Sequence, residues 1–284
     1  MRIALAQLAA GTDPSANLEL VADHTSRAAA AGADLVVFPE ATMCRFGVSL
    51  GPVAEPLDGP WASGVRRIAA AAGITVVAGM FVPAPDGRVR NTLLATGNGV
   101  DTHYDKIFLF DAYGFTESRT VAPGRRPVVI EVAGVRVGLT TCYDVRFPEL
   151  YRALADRGAQ VITVSASWGS GPGKLAQWTV LTRARALDSS SFVAAAGQAY
   201  PGDDVAASTS APTGVGGSLL ASPYGEVVAE AGADPELVVA DVDLAKVTEA
   251  RDTLGVLRNR RYFAELDASP QDRPPSDDPE GTSA

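Results

Sequence analysis

A layered α/β fold with mixed sheets is predicted for this chain of 284 residues, and three features of its patterning carry the prediction. Two short runs, Leu35-Val36-Val37-Phe38 and Val161-Ile162-Thr163-Val164, are apolar almost throughout and alternate with helix-length amphipathic segments. Strands covered on both faces read this way, which is the habit of parallel sheets flanked by helices. Asp86-Gly87 and Asn98-Gly99 are hairpin turns, so antiparallel strands must join the same architecture. Finally, residues 135–158 read as strand, tight turn and helix, with Cys142 at the carboxyl end of the strand. Open α/β sheets tend to place their chemistry at such ends.

Taken in order, Arg2 to Gln7 alternates Ile3 and Leu5 and forms a first strand. Asp13-Pro14 supplies a cap and first turn to a helix whose inner stripe is Leu18, Val21, Thr25, Ala28 and Ala29, closed at Gly32. The apolar strand Leu35 to Phe38 runs into Pro39-Glu40. Pro60 to Ala72 is a second helix ended by Gly73, followed by a strand from Ile74 to Val82. The hairpin turns then join strands near Val89–Thr96 and Val100–Asp105, the last ending at Lys106. Residues 107–126 read as a long loop, and structureless loops of that length are uncommon and often functional. After the Val135 strand, Pro148 suits the first turn of a helix that carries Leu150, Tyr151 and Leu154 inward and stops at Gly158. The helix Lys174 to Ser189 is expected to turn Leu175, Trp178, Leu181 and Ala186 inward. Strands follow at Ser191–Ala199, Gly217–Ala221, Val227-Val228 and Leu237–Val242, then a short helix from Leu244 to Leu254. The polar segment from Tyr200 to Thr213 reads as a mobile lid. Residues 1–266 form one domain, and 267–284 are an acidic, proline-rich tail with nothing large and apolar to bury, expected to be disordered.

Composition narrows the function. The apolar fraction of 46% and charged fraction of 20% are those of a soluble globule. No apolar run approaches a membrane span, and Met1-Arg2-Ile3-Ala4-Leu5 enters strand pattern directly, so neither membrane nor secretion is expected. A net charge of −9 without a basic cluster argues against nucleic acid. Cys44 and Cys142 make no disulfide framework, and reduced thiols in the cytoplasm are the simpler reading. With only His24 and His103 available, a Cys-His pair or a histidine-rich zinc site lacks material. If Cys142 is a nucleophile, its base is therefore another residue, and a nearby helix N-terminus is expected to favour the thiolate. No internal repeat, P-loop, GxGxxG or GxSxG is present.

Three segments resemble the nitrilase superfamily of carbon–nitrogen hydrolases: Val36-Val37-Phe38-Pro39-Glu40, Tyr104-Asp105-Lys106-Ile107-Phe108-Leu109-Phe110-Asp111, and Thr141-Cys142-Tyr143-Asp144-Val145-Arg146-Phe147-Pro148-Glu149-Leu150. The similarity extends from Met1 to about Tyr262. It implies a four-layer α-β-β-α sandwich, assembled at least as a homodimer, and a triad of Glu40, Lys106 and Cys142. Phe115-Thr116-Glu117-Ser118 matches the segment bearing a second glutamate, Glu117. An amide carbonyl is a poor electrophile, so a strong nucleophile and a stabilised oxyanion are required. In that scheme Glu40 acts as general base, Cys142 forms a thioester, Lys106 and the backbone N–H after Cys142 hold the oxyanion, and Glu117 orients Lys106 or the substrate amide. No metal or organic cofactor is implied.

Within the superfamily the resemblance is to the Nit-type amidases, which include omega-amidases and deaminated-glutathione amidases. The substrate expected is a small linear amide, cleaved to carboxylate and ammonia. Its pocket is expected from the 107–120 loop, Trp168 and the 200–213 segment, with Tyr113, Phe115 and Tyr143 beside the cations Arg45 and Arg146. Of these, Arg146 is also read as a fold-stabilising ion pair. Gln177-Trp178-Thr179 stands where that branch often has His-Trp-Glu, Leu187-Asp188-Ser189-Ser190 departs from its acid-Asn-Gln ending, and Arg125 replaces a common acid. An N-carbamoyl amidohydrolase, a nitrilase on the same triad, or a non-catalytic scaffold are the alternatives.

Overall fold

The computed structural model describes residues 1–261, and the expected acidic tail lies outside them. The first half of the chain runs β1 (Arg2–Gln7), α1 (Pro14–Ala30), β2 (Leu35–Val37), α2 (Pro60–Ala72), β3 (Thr75–Pro83), β4 (Val89–Gly97) and β5 (Val100–Asp105). The second runs β6 (Val128–Val132), β7 (Val135–Thr141), α3 (Pro148–Asp156), β8 (Val161–Ala166), α4 (Lys174–Ser189), β9 (Phe192–Gly197), α5 (Asp203–Ser208), β10 (Leu219–Ala221), β11 (Val227–Glu230), β12 (Glu236–Asp241) and α6 (Ala245–Leu254).

Two six-stranded mixed sheets result, ordered β12-β1-β2-β3-β4-β5 and β11-β10-β9-β8-β7-β6. In the first, β1, β2 and β3 are parallel, and in the second, β7, β8 and β9 are parallel; every other pairing is antiparallel. The sheets therefore repeat one topology although the sequence shows no repeat. Alternation along each strand explains the layers. Ile3, Leu5, Leu35 and Val37 pack against Val137, Leu139, Val161 and Phe192 of the opposite sheet. Ala4, Ala6 and Val36 from the same strands, with Phe38 just after β2, face Val21, Ala28, Trp61 and Val65 of α1 and α2. On the other side, Ile162, Val164 and Val193 pack under Tyr151, Leu154 and Trp178 of α3 and α4. Both faces of each sheet are thus apolar, which is why the central strands read as unbroken apolar runs.

Local chemistry sets the boundaries. Asp13 caps α1 by accepting from the Ser15 N–H at 2.9 Å, and Gly73 closes α2 at φ +68°. Several sequence expectations need correction. β6 falls in a stretch to which the sequence reading assigned no element; its hairpin to β7 turns through Ala133 and Gly134, both at positive φ, without the usual Asn-Gly signal. The expected loop at 107–126 holds a 3-10 turn at Glu117–Arg119, and the segment expected to be a lid holds α5. Leu175, expected inward, is 46% exposed, because the buried stripe of α4 passes through Trp178, Thr182, Arg185, Ala186 and Ser189. Among the described residues no helix is long and apolar enough to cross a membrane.

Candidate active site

Glu40 follows β2 in a turn that Gly79 of β3 permits. A Cβ on Gly79 would lie 2.7 Å from the Ala41 nitrogen and 2.8 Å from the Pro39 carbonyl, so only glycine lets the turn seat here. Thr42 Oγ1 donates to the Pro39 carbonyl at 2.7 Å, and Gln198 Nε2 donates to that of Glu40 at 2.9 Å. The carboxylate is fully buried, and each oxygen is satisfied. Oε1 accepts from Asn91 Nδ2 at 2.7 Å and from Lys106 Nζ at 2.9 Å, while Oε2 accepts from the Ser167 N–H at 2.9 Å.

Lys106 leaves β5 with its N–H on the Asn91 carbonyl and its own carbonyl accepting from Gly124. Its ammonium bridges Glu40 and Glu117, 2.9 Å from the nearest oxygen of each. Burial alone would push Lys106 down, but Glu117, Glu40 and Cys142 together hold its pKa well above that of an ordinary lysine. Glu117 is fixed by the Phe110 N–H, which donates to its Oε2 at 2.6 Å. Asn91 reaches Glu117 as well, at 3.4 Å. Sequence reasoning passed over Asn91, which lies inside β4 with Arg90 and Thr92 on either side. The available signal was an asparagine, a poor strand former, in phase with buried Val89 and Leu93.

Cys142 comes from the opposite sheet. It follows β7 at φ +46°, the left-handed region, and opens a 3-10 turn over Cys142–Arg146. Asp144 braces that turn. Its carboxylate accepts from the Thr141 N–H at 2.8 Å, the Phe108 N–H at 2.9 Å and the Tyr104 hydroxyl at 2.7 Å. Burial raises Asp144 to about 6, against the opposing pull of these bonds. The Cys142 thiol lies 3.8 Å from the Ser167 carbonyl and close enough to the Glu40 carboxylate to feel its charge. Burial and then the Glu40 charge push it well up, and Lys106 pulls it down less. The expectation that a helix N-terminus favours the thiolate is thus overturned: α3 begins beyond the 3-10 turn, and the resting thiol keeps its proton. Cys44 is a second free thiol, buried away from this cluster beside Phe81 and Val89.

The cluster opens into a cavity of about 820 Å³. Tyr113, Phe115, Tyr143, Arg146 and Trp168 line it, as do residues 209–213, whereas Arg45 does not. Tyr143 is wedged edge-on between Phe110 and Phe147. Tyr113 is 66% exposed at the rim, with Lys174 Nζ 3.7 Å from its ring centre. Among the described residues Arg146 is in no ion pair: its guanidinium lies 5.2 Å from the centre of the Trp168 ring and donates to Gln177 Oε1 at 2.9 Å. Glu40 and Glu117 are the only carboxylates lining the cavity among the described residues. Nor do three His, Cys, Asp or Glu side chains converge there as metal ligands would.

A buried thiol, a carboxylate close to it and a lysine held beside both, at the strand ends of a four-layer α-β-β-α sandwich, define a cysteine hydrolase of the nitrilase type. The carbon–nitrogen hydrolase family model matches residues 2–252, and the chain belongs to that family. A protein of Mycobacterium tuberculosis described only as a hydrolase is 68% identical over 274 residues, covering 94% of this chain and 98% of the relative. The deaminated glutathione amidase of Escherichia coli O157:H7 is 34% identical over 267 residues, covering 92% and 98%. Among solved structures, the Nesterenkonia amidase carrying acrylamide added at its active-site cysteine superposes with a TM-score of 0.76 at 28% identity, covering 94% of this chain and 98% of that one. The chain is thus a hydrolase of carbon–nitrogen bonds other than peptide bonds.

Proposed function

We propose that the protein hydrolyses a small linear amide bearing a carboxylate, such as an omega-amide of a dicarboxylic acid or deaminated glutathione, through a thioester on Cys142. Glu40 takes the thiol proton as sulfur attacks the carbonyl carbon. The carbonyl oxygen gains the negative charge, held by Lys106 and the backbone N–H of Tyr143. Collapse of the adduct breaks the C–N bond, and the leaving nitrogen takes the proton from Glu40 and departs, as ammonia from an omega-amide or as the amine of cysteinylglycine from deaminated glutathione. Glu40 then deprotonates water, which attacks the thioester and returns the thiol. Glu117 holds Lys106 in place, so the cation needs no reorganisation as charge develops. Tyr113, Tyr143 and Trp168 flank the substrate chain.

The observation that carries the substrate class is Arg146, a guanidinium on the cavity wall with, among the described residues, no carboxylate paired to it and its buried Nε unpartnered. Arginine can hold a carboxylate with two parallel hydrogen bonds. A product assay over omega-amides, N-carbamoyl amino acids and nitriles, with Cys142→Ala as the blank, tests the reading. Ammonia without carbon dioxide from omega-amides is expected. Carbon dioxide in equal amount would replace the reading with a carbamoyl one, and turnover of nitriles alone with a nitrilase. The enzyme is proposed to act in the cytoplasm on free metabolites, as a homodimer.

A further inference from the structure

We propose that Gln177 is a specificity-determining positioning residue, which aims the Arg146 guanidinium at the cavity while leaving its charge unopposed. The inference rests on the reading of Arg146 as the substrate carboxylate's partner. Three elements meet here. Arg146 ends the same 3-10 turn that Cys142 begins, so the cation and the thiol share one rigid piece of backbone. Trp168 follows β8, and its indole Nε1 donates to the Lys174 carbonyl at 3.0 Å, tying the ring under the guanidinium to the start of α4. Gln177 sits in the first turn of α4, its N–H on the Gly173 carbonyl at 3.0 Å. It stays behind the wall: Arg146 and Trp168 line the cavity, and Gln177 does not.

The neutrality of this partner is the point. Elsewhere the chain pairs arginines with acids, as in Arg185–Asp188 at 3.0 Å and Arg260–Asp156 at 2.6 Å. An acid at position 177 would do the same to Arg146 and leave a substrate carboxylate to compete with it. An amide oxygen fixes the guanidinium by one bond at 2.9 Å and cancels none of its charge. Together with stacking on Trp168, this holds a cation in a part-buried site where its attraction to an anion is poorly screened.

The test compares succinamate with 4-methylpentanamide, in which an uncharged isopropyl group replaces the carboxylate. In the full chain, Gln177→Glu should raise KM for succinamate about 30-fold with kcat little changed, and Gln177→Met should raise it about tenfold or less, as loss of a charge-assisted contact does. Turnover of 4-methylpentanamide should move by less than about threefold in both, since uniform binding to Arg146 plays no part in it. Arg146→Met sets the ceiling for loss of the cation, and melting temperatures confirm that each variant folds. Equal losses on both amides would make Gln177 merely structural and overturn the inference. If Arg146→Met raises the succinamate KM and Gln177→Glu does not, the carboxylate reading stands and the role of Gln177 falls. No turnover of succinamate by the wild type, or a KM unmoved in every variant, overturns both.

Discussion

Lys106 carries two carboxylates on one buried ammonium, and the balance of the site depends on it. Remove the cation and Glu40 and Glu117 face each other without compensation. Lys106→Met is therefore expected to lower the rate on the order of 10² or more, as loss of an oxyanion donor does, and to cost about 3 kcal/mol of stability by stranding buried charge. Steady-state kinetics and thermal melts check the two effects separately. A loss of stability with the rate preserved would make the lysine structural. Glu40, Lys106 and Cys142 drew notice in the sequence at strand ends, but they were joined into one site, and Glu117 was added, only through the resemblance to the nitrilase superfamily. Asn91 was not legible, since the carboxylates it serves lie 51 and 26 residues away. Gln177 was legible as a departure from the Nit-type pattern and Arg146 as a pocket cation, but the bond between them was not.

At the scale of elements, the 3-10 turn over Cys142–Arg146 is the piece whose integrity the chemistry needs, and Asp144 is its brace. Its folded value of about 6 lies above the ordinary 3.8. By linkage, its contribution to stability is fully present below the ordinary value and is lost as pH rises through 6. Lowering the pH from 7 to 5 thus costs no stability through Asp144. Asp86 and Asp241, held below the ordinary carboxylate range by Arg88 and Arg2, weaken the fold only under stronger acid. Activity should behave differently, because only the ionised carboxylate accepts from Tyr104, Phe108 and Thr141 together. We expect kcat/KM to fall below a pH of about 6 while the melting temperature holds, and Asp144→Asn to abolish that acid limb. An unchanged limb in the variant would assign it to another group. The elements themselves were mostly legible, since apolar runs and glycine stops have direct physical causes. β6 escaped because its turn is Ala133-Gly134, and Leu175 was misplaced because the buried face of α4 passes beside it.

For the whole molecule, the exposed surface bears on assembly. Val180 and Leu187 of α4 and Val227 and Val228 of β11 are exposed apolar side chains, and Leu187 packs beside Gly225 at the foot of β11. A homodimer burying α4 is expected by sedimentation at micromolar concentration, with Val180→Asp shifting it to monomer. A wild-type monomer would sink the proposal. The repeated topology of the two sheets has another consequence. Glu40, Asn91 and Lys106 belong to one half and Cys142 and Ser167 to the other, so neither half holds a working set. Before the two halves dock, the sulfur is expected to behave as an ordinary thiol, open to chance oxidants. Docking then quiets the sulfur rather than arming it: burial and the neighbouring acid keep the proton on, and reactivity waits for a carbonyl to arrive between the sheets.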